Sequence, residues 1–139
     1  MTEELLNLII GILCILESGG DPDAYKADED AVGILQIRRV MVRDVNEILK
    51  SQGLAAMSFD YEDRCSPNAS MTMARIYLRH YEKFSDGAAP EQWYVEYCSR
   101  IWQGGPDGYR EPETIKRGRA AVAMYKAYRE WKEQQDAED

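Results

Sequence analysis

One carboxyl group stands where acid–base chemistry has a use for it. Glu17 follows nine consecutive apolar or small residues, Leu8 to Leu16, at the C-terminal end of a segment that reads as a helix. Partial burial and the negative end of a helix dipole both disfavour a carboxylate, so this placement predicts a Glu17 pKa above the usual range. The neighbours act in the same direction. Residues 1–30 hold eight acids (Glu3, Glu4, Glu17, Asp21, Asp23, Asp28, Glu29 and Asp30) against one base, Lys26, which is −7 of a total formal charge of −8. Like charges hold a proton on, and a carboxylic acid still protonated near neutral pH is what a general acid must be. Activity is then expected to peak on the acidic side of neutrality and to fall as Glu17 deprotonates. The plain alternative is a boundary glutamate pointing to water.

The remaining reactive side chains exclude more than they suggest. Three scattered cysteines (Cys14, Cys65, Cys98) and one histidine (His80) form no C-x-x-C and too few ligands for zinc. The odd cysteine count fits a reducing compartment of synthesis, and the apolar surroundings of Cys14 and Cys98 read as buried small hydrophobes rather than nucleophiles. Asp21, Asp23, Asp28 and Asp30 offer hard oxygen ligands. A calcium loop starting at Asp21 would nevertheless have Lys26 where glycine is needed and Val32 where a bidentate glutamate belongs. No metal and no cofactor is expected.

The elements that must position these residues are mostly helical. A first helix over about Thr2 to Glu17 opens with Glu3 and Glu4 and stops at Gly19-Gly20. Asp21 to Val32 is polar, a long loop or a small hairpin, and Ile34-Leu35-Gln36-Ile37 reads as a short strand or a helix start. A second helix covers about Val40 to Gln52, with Met41, Val45, Ile48 and Leu49 on one face. Ser66 is a good N-cap and Pro67 fits the first position of a third helix, whose stripe Met73, Ile76, Tyr77, Tyr81 and Phe84 faces the core. After a Ser85-Asp86-Gly87 turn, Pro90 to Trp102 reads as a fourth helix. A glycine-containing loop, Gln103 to Glu111, leads to a last helix from near Pro112 to about Gln135, with residues 128–139 a charged, frayed tail. The fold class is therefore mainly α, about five to seven helices with a small β-hairpin near residues 24–37, in one domain over 1–139.

Of the 139 residues, 45% are hydrophobic, too many for a disordered chain of this charge. With pI near 4.7, the chain lacks the basic stripe that nucleic-acid binding requires, so neither that partner nor charge-driven docking on anionic lipid is expected. The apolar stretch Leu5 to Leu16 is too short to span a bilayer, which takes about 20 residues. Thr2, Glu3 and Glu4 precede it where a secretory signal has lysine or arginine. The expectations are a monomer without membrane insertion, made in the cytoplasm without a signal peptide.

Two tandem blocks carry a resemblance. Glu17-Ser18-Gly19-Gly20-Asp21-Pro22-Asp23-Ala24 followed by Ala31-Val32-Gly33-Ile34-Leu35-Gln36-Ile37 resembles the E-S-x-x-N-P-x-A and G-A-x-G-L-M-Q-I pattern of the lytic transglycosylases of the lysozyme-like superfamily. Arg100-Ile101-Trp102-Gln103-Gly104-Gly105-Pro106 is similar to the third block, A-Y-N-A-G-P, in its phage-type form I-W-N-G-G-P. Pro112-Glu113-Thr114 resembles the entry to that family's final helix. The resemblance implies a lysozyme-like fold and cleavage of peptidoglycan glycan strands between N-acetylmuramic acid and N-acetylglucosamine.

Carried over by position, the resemblance makes Glu17 the catalytic acid and then base. Ser18 would steady Glu17 or the departing glycan, Gly33 would let the backbone pass close to the sugar, and Gln36 would bond substrate in the groove, with Leu35 and Ile37 beside it as further substrate-binding candidates. Trp102 stands in place of the family's tyrosine and would stack on a sugar or pack in the core. Gln103 replaces asparagine and reaches about one methylene further. Asp28 or Asp30 is the candidate second carboxylate, which would orient water and make the enzyme a hydrolysing muramidase of goose-lysozyme type. Two other classes stand beside the enzyme: a non-catalytic glycan-binding or virion-structural module, and a helical interaction protein. A phage lysis protein or virion component would bring such an enzyme to the cell wall without an export signal.

Overall fold

A computed structural model describes residues 1–82 and 89–138. The expected Ser85-Asp86-Gly87 turn and the Phe84 end of the third helical stripe lie outside the described residues. Among the described residues there are five helices and one two-stranded sheet, so the mainly helical class and the small hairpin are both present. The helices are α1 (Glu3–Ser18), α2 (Arg39–Ser51), α3 (Pro67–Glu82), α4 (Glu91–Gly104) and α5 (Ile115–Glu138). Among the described residues no helix is long and apolar enough to cross a membrane.

The chain divides into two compact units, one of Leu13–Ser85 and one of Met1–Ile12 with Asp86–Asp139. In the Leu13–Ser85 unit, strands β1 (Tyr25–Lys26) and β2 (Ala31–Val32) pair antiparallel with Tyr25 opposite Val32 and Lys26 opposite Ala31. The segment that reads as strand or helix start is neither. Residues 33–36 form a turn, and Ile37 closes it by exchanging both backbone hydrogen bonds with Val32, at 3.0 and 3.1 Å.

α2 follows its apolar stripe: Met41, Val42, Val45, Ile48 and Leu49 are buried, and α2 packs on α3. The start of α3 is as its sequence indicates, since Ser66 Oγ accepts the Ala69 N–H at 3.2 Å ahead of Pro67. Between α2 and α3 lie two short 3₁₀ segments, Ala55–Met57 and Tyr61–Cys65, that no hydrophobic period announces.

The other unit contains the start of α1, where Thr2 Oγ1 caps the Leu5 N–H at 3.1 Å, together with α4 and α5. Tyr94, Val95, Tyr97, Cys98, Ile101 and Trp102 of α4 are buried, and α5 packs along α4. A Cβ on Gly118 would stand 3.0 Å from both Glu96 Cγ and Arg100 Cδ, so glycine is what allows this close approach of α5 to α4. The loop expected after Trp102 is shorter than its composition suggests. α4 runs on to Gly104, a 3₁₀ turn forms at Gly108–Arg110, and another at Pro112–Thr114 leads into α5. Where a charged tail is expected from residue 128, the backbone is helical to Glu138.

Candidate functional site

α1 presents Glu17 and Ser18 in its last turn, with no basic residue in that turn. Glu17 is half-buried. Ser18 Oγ donates to the Ile34 carbonyl at 2.7 Å and also stands 3.1 Å from the Cys14 carbonyl of its own helix. The end of the helix is thus bonded directly to the turn that the second block of the resemblance forms.

That turn is built of strained or buried positions. Gly33 has φ +83°, and a Cβ on it would collide with the Arg64 carbonyl. Glycine is needed here because another backbone segment passes against it, on both steric and conformational grounds. Gln36 also has positive φ, +51°, uncommon for a residue with a side chain. Its Nε2 donates to Ala24 O and Gly33 O, both at 3.0 Å, and the residue is only 7% exposed. The amide nitrogen therefore holds the hairpin to the turn. Leu35 and Ile37, expected among the substrate-binding residues, are instead fully buried, so their side chains support the turn from the core.

Beside the turn, Asp30, at φ +47°, takes a hydrogen bond from Arg39 Nε at 2.8 Å and lies 3.5 Å from Arg64 Nη1. The Arg39 hydrogen bond, with the Arg64 and Arg39 charges adding to it, holds the Asp30 carboxyl below the usual carboxylate range. Asp28 is exposed.

The residue that sequence reading missed is Arg64. Its side chain is buried, with Nε donating to Tyr61 O at 2.8 Å and Nη1 to Asp30 O at 2.9 Å and Ile37 O at 3.2 Å. The Tyr61 ring centre is 4.7 Å from the Arg39 guanidinium and 5.6 Å from that of Arg64. Nothing in the sequence pairs Arg64 with residues 27 to 34 positions away. Only the fold brings them together.

Trp102 and Gln103 belong to the other unit. Trp102 is 3% exposed and packs in the core, the second of its two expected roles, whereas Gln103 is exposed in the last turn of α4. Behind them, the Thr114 hydroxyl donates to Gly108 O at 2.6 Å and accepts Arg100 Nε at 2.8 Å, fixing the entry to α5. Cys14 and Cys98 are buried and not joined in a disulfide, and burial pushes the Cys14 thiol up from its ordinary value. Among the described residues no three His, Cys, Asp or Glu side chains cluster as a metal site.

Comparison with known proteins adds one finding. The family model for the transglycosylase SLT domain matches residues 2–103, which takes in Glu17, Ser18, the whole Gly33–Ile37 turn, Trp102 and Gln103. The match ends before Gly104-Gly105-Pro106 and Pro112-Glu113-Thr114. No curated protein and no solved structure matches the chain. Matched over most of its length, the chain belongs to the transglycosylase SLT domain family, the lytic transglycosylases that act on peptidoglycan.

Proposed function

We propose that Glu17 carries out the cleavage, breaking the bond between N-acetylmuramic acid and N-acetylglucosamine. The Glu17 carboxyl gives its proton to the glycosidic oxygen as the bond to the anomeric carbon breaks, and the substrate's own acetamido oxygen attacks that carbon. Glu17, now a carboxylate, takes the proton from the muramic O6, which displaces the acetamido oxygen and closes a 1,6-anhydro ring. One protein carboxyl group suffices for both steps.

The observation that carries this reading is the bond from Ser18 Oγ to Ile34 O, which seats the helix end bearing Glu17 on the Gly33–Ile37 turn. A general acid must be held within hydrogen-bond reach of its target, and a helix end tied to a rigid turn meets that need. In this reading Ser18, Gly33, Leu35 and Ile37 hold the turn. Gln36 bonds the hairpin and the turn through Nε2, so its Oε1 is the acceptor assigned to substrate. Gln103 is assigned to the glycan from its exposed position in the last turn of α4, and Trp102 to packing.

The pairing of Asp30 with Arg39 and Arg64 supports the anhydro product over hydrolysis, because a carboxylate engaged by two guanidinium groups is a weakened base for water. The phage-type setting belongs to the same proposal, and would fail if the protein were found exported by a bacterium's general secretion pathway.

Digestion of purified sacculi followed by mass spectrometry of the muropeptides tests the reading. Muramic ends lacking one water are the expected product; reducing ends would make the protein a hydrolase, and an unchanged profile would remove the enzymatic reading. Glu17→Gln should abolish turnover while leaving the thermal midpoint unchanged.

A further inference from the structure

The acidity of the whole chain conceals a reversal of charge on α5. From Ile115 to Arg129 the helix carries Lys116, Arg117, Arg119, Lys126 and Arg129 and no acid. Lys116, Arg119 and Lys126 are exposed, and at about 100° per residue they fall on one face of the helix. Arg129 is paired with Glu91 at 2.7 Å, but among the described residues neither Arg119 nor Lys126 makes an ion pair. These two cations line a groove of about 400 Å³ between α4 and α5, whose opposite wall includes Glu96.

Glu96 is also a wall of a second, smaller depression. That one, about 110 Å³, is formed by Trp93, Glu96, Tyr97 and Arg100 of α4 with Tyr109. It is an aromatic corner: Trp93 stacks on Tyr97 at 4.8 Å and 11°, and Tyr97 meets Tyr109 at 5.4 Å. Trp93 and Tyr109 remain 37% exposed. Arg100, tied to Thr114 and Glu111, and Glu96, 3.5 Å from Arg100 Nη1, set polar groups at its edge. On α4 the Trp93–Tyr97 face points away from the side that buries Trp102, half a helical turn round.

Aromatic faces beside a carboxylate and a guanidinium match a saccharide, which offers C–H faces for stacking and hydroxyl or amide groups for bonding. An open depression of about 110 Å³ has room for an acetamido substituent. The cations along the adjoining groove match carboxylates.

The geometry points to a second peptidoglycan-binding site on α4, α5 and Tyr109, with an N-acetylated sugar at Trp93 and Tyr109 and a stem-peptide carboxylate at Arg119 and Lys126. This rests on the family-level substrate and not on the role assigned to Glu17. It also supplies the attraction to an anionic wall that an acidic chain otherwise lacks.

Co-sedimentation of the full chain with purified sacculi tests the site without requiring turnover. Trp93→Ala should weaken binding roughly five- to tenfold, in line with the worth of an aromatic contact. Because Trp93 also packs on Tyr97, the exposed double variant Arg119→Glu/Lys126→Glu serves as the second probe, both checked by thermal midpoint. It should weaken binding to intact sacculi yet bind amidase-treated, stem-free glycan as the wild type does. Wild-type sedimentation by both variants would overturn the site, and equal losses on both substrates would overturn the carboxylate assignment. Glu17→Gln should sediment normally, so loss of cleavage and loss of this site read out separately.

Discussion

The turn around Gly33 and the α4–α5 pair reach their order by opposite means. In the turn, side chains bond backbone: Arg64 donates to the carbonyls of Tyr61, Asp30 and Ile37, Gln36 to those of Ala24 and Gly33, and Ser18 to that of Ile34. Along α4 and α5 the helical ladder satisfies the backbone, so the side chains pack against each other, down to the missing Cβ of Gly118. Where the ladder stops before α5, side chains bond backbone again, Thr114 to Gly108 O and Arg100 to Glu111 O, while along the helices Tyr125 and Arg129 of α5 bond the Glu91 carboxylate of α4. Irregular backbone has no ladder partner, and a buried carbonyl left unbonded is costly, so the irregular segment draws in long donors. The segment that the proposed chemistry uses is the one built this way.

Substitutions test the contrast. Arg64→Met should be the most damaging, costing about 3 kcal/mol in urea unfolding, because it strips a buried guanidinium from three carbonyls and an aspartate at once. Gly33→Ala follows at about 2 kcal/mol, the strain of a left-handed alanine against the Arg64 carbonyl. On the other side, Gly118→Val should cost about 1.5 kcal/mol through overpacking at the α4–α5 approach, and Thr114→Val about 1 kcal/mol for lost hydrogen bonds. If Arg64→Met proved no more harmful than Thr114→Val, the distinction between the two regions would collapse.

The smallest effect is a pH effect. The Asp30 carboxyl sits below its unfolded value near 3.9, so its contribution is complete above that value and is lost as pH falls through the lower folded one. The thermal midpoint should therefore decline below about pH 4. Asp30→Asn should flatten part of that decline, and an unchanged profile in the variant would mean that the Arg39 and Arg64 pairing contributes nothing to the hairpin.

Much of the helical framework is legible from local signals. Glu3, Glu4 and the paired glycines mark α1, the Met41–Leu49 stripe marks α2, and Ser66-Pro67 marks the start of α3, because caps and the 3.6-residue period act within a few residues. The two 3₁₀ segments before α3 are too short to show a period. The turn at 33–36 is ambiguous in sequence for a related reason: Ile34, Leu35 and Ile37 are apolar enough for a strand, and the left-handed backbone at Gln36 depends on bonds to Ala24 and Gly33 that exist only when the hairpin is folded.

For the candidate site, the sequence by itself determined the residue types and their order: a glutamate ending an apolar helix, a glycine and a glutamine in the following block, and the acidity around them. Those are properties of neighbours along the chain. Tertiary structure alone decided that Ser18 bonds Ile34, that Gln36 spends its amide nitrogen on the hairpin, and that Arg64 draws Asp30 and Ile37 to one buried guanidinium. It also decided that the cations of α5 line one groove with Glu96 of α4. Each of these joins residues far apart in sequence, where the short-range rules of propensity and capping carry no information and burial of polar groups selects the partner.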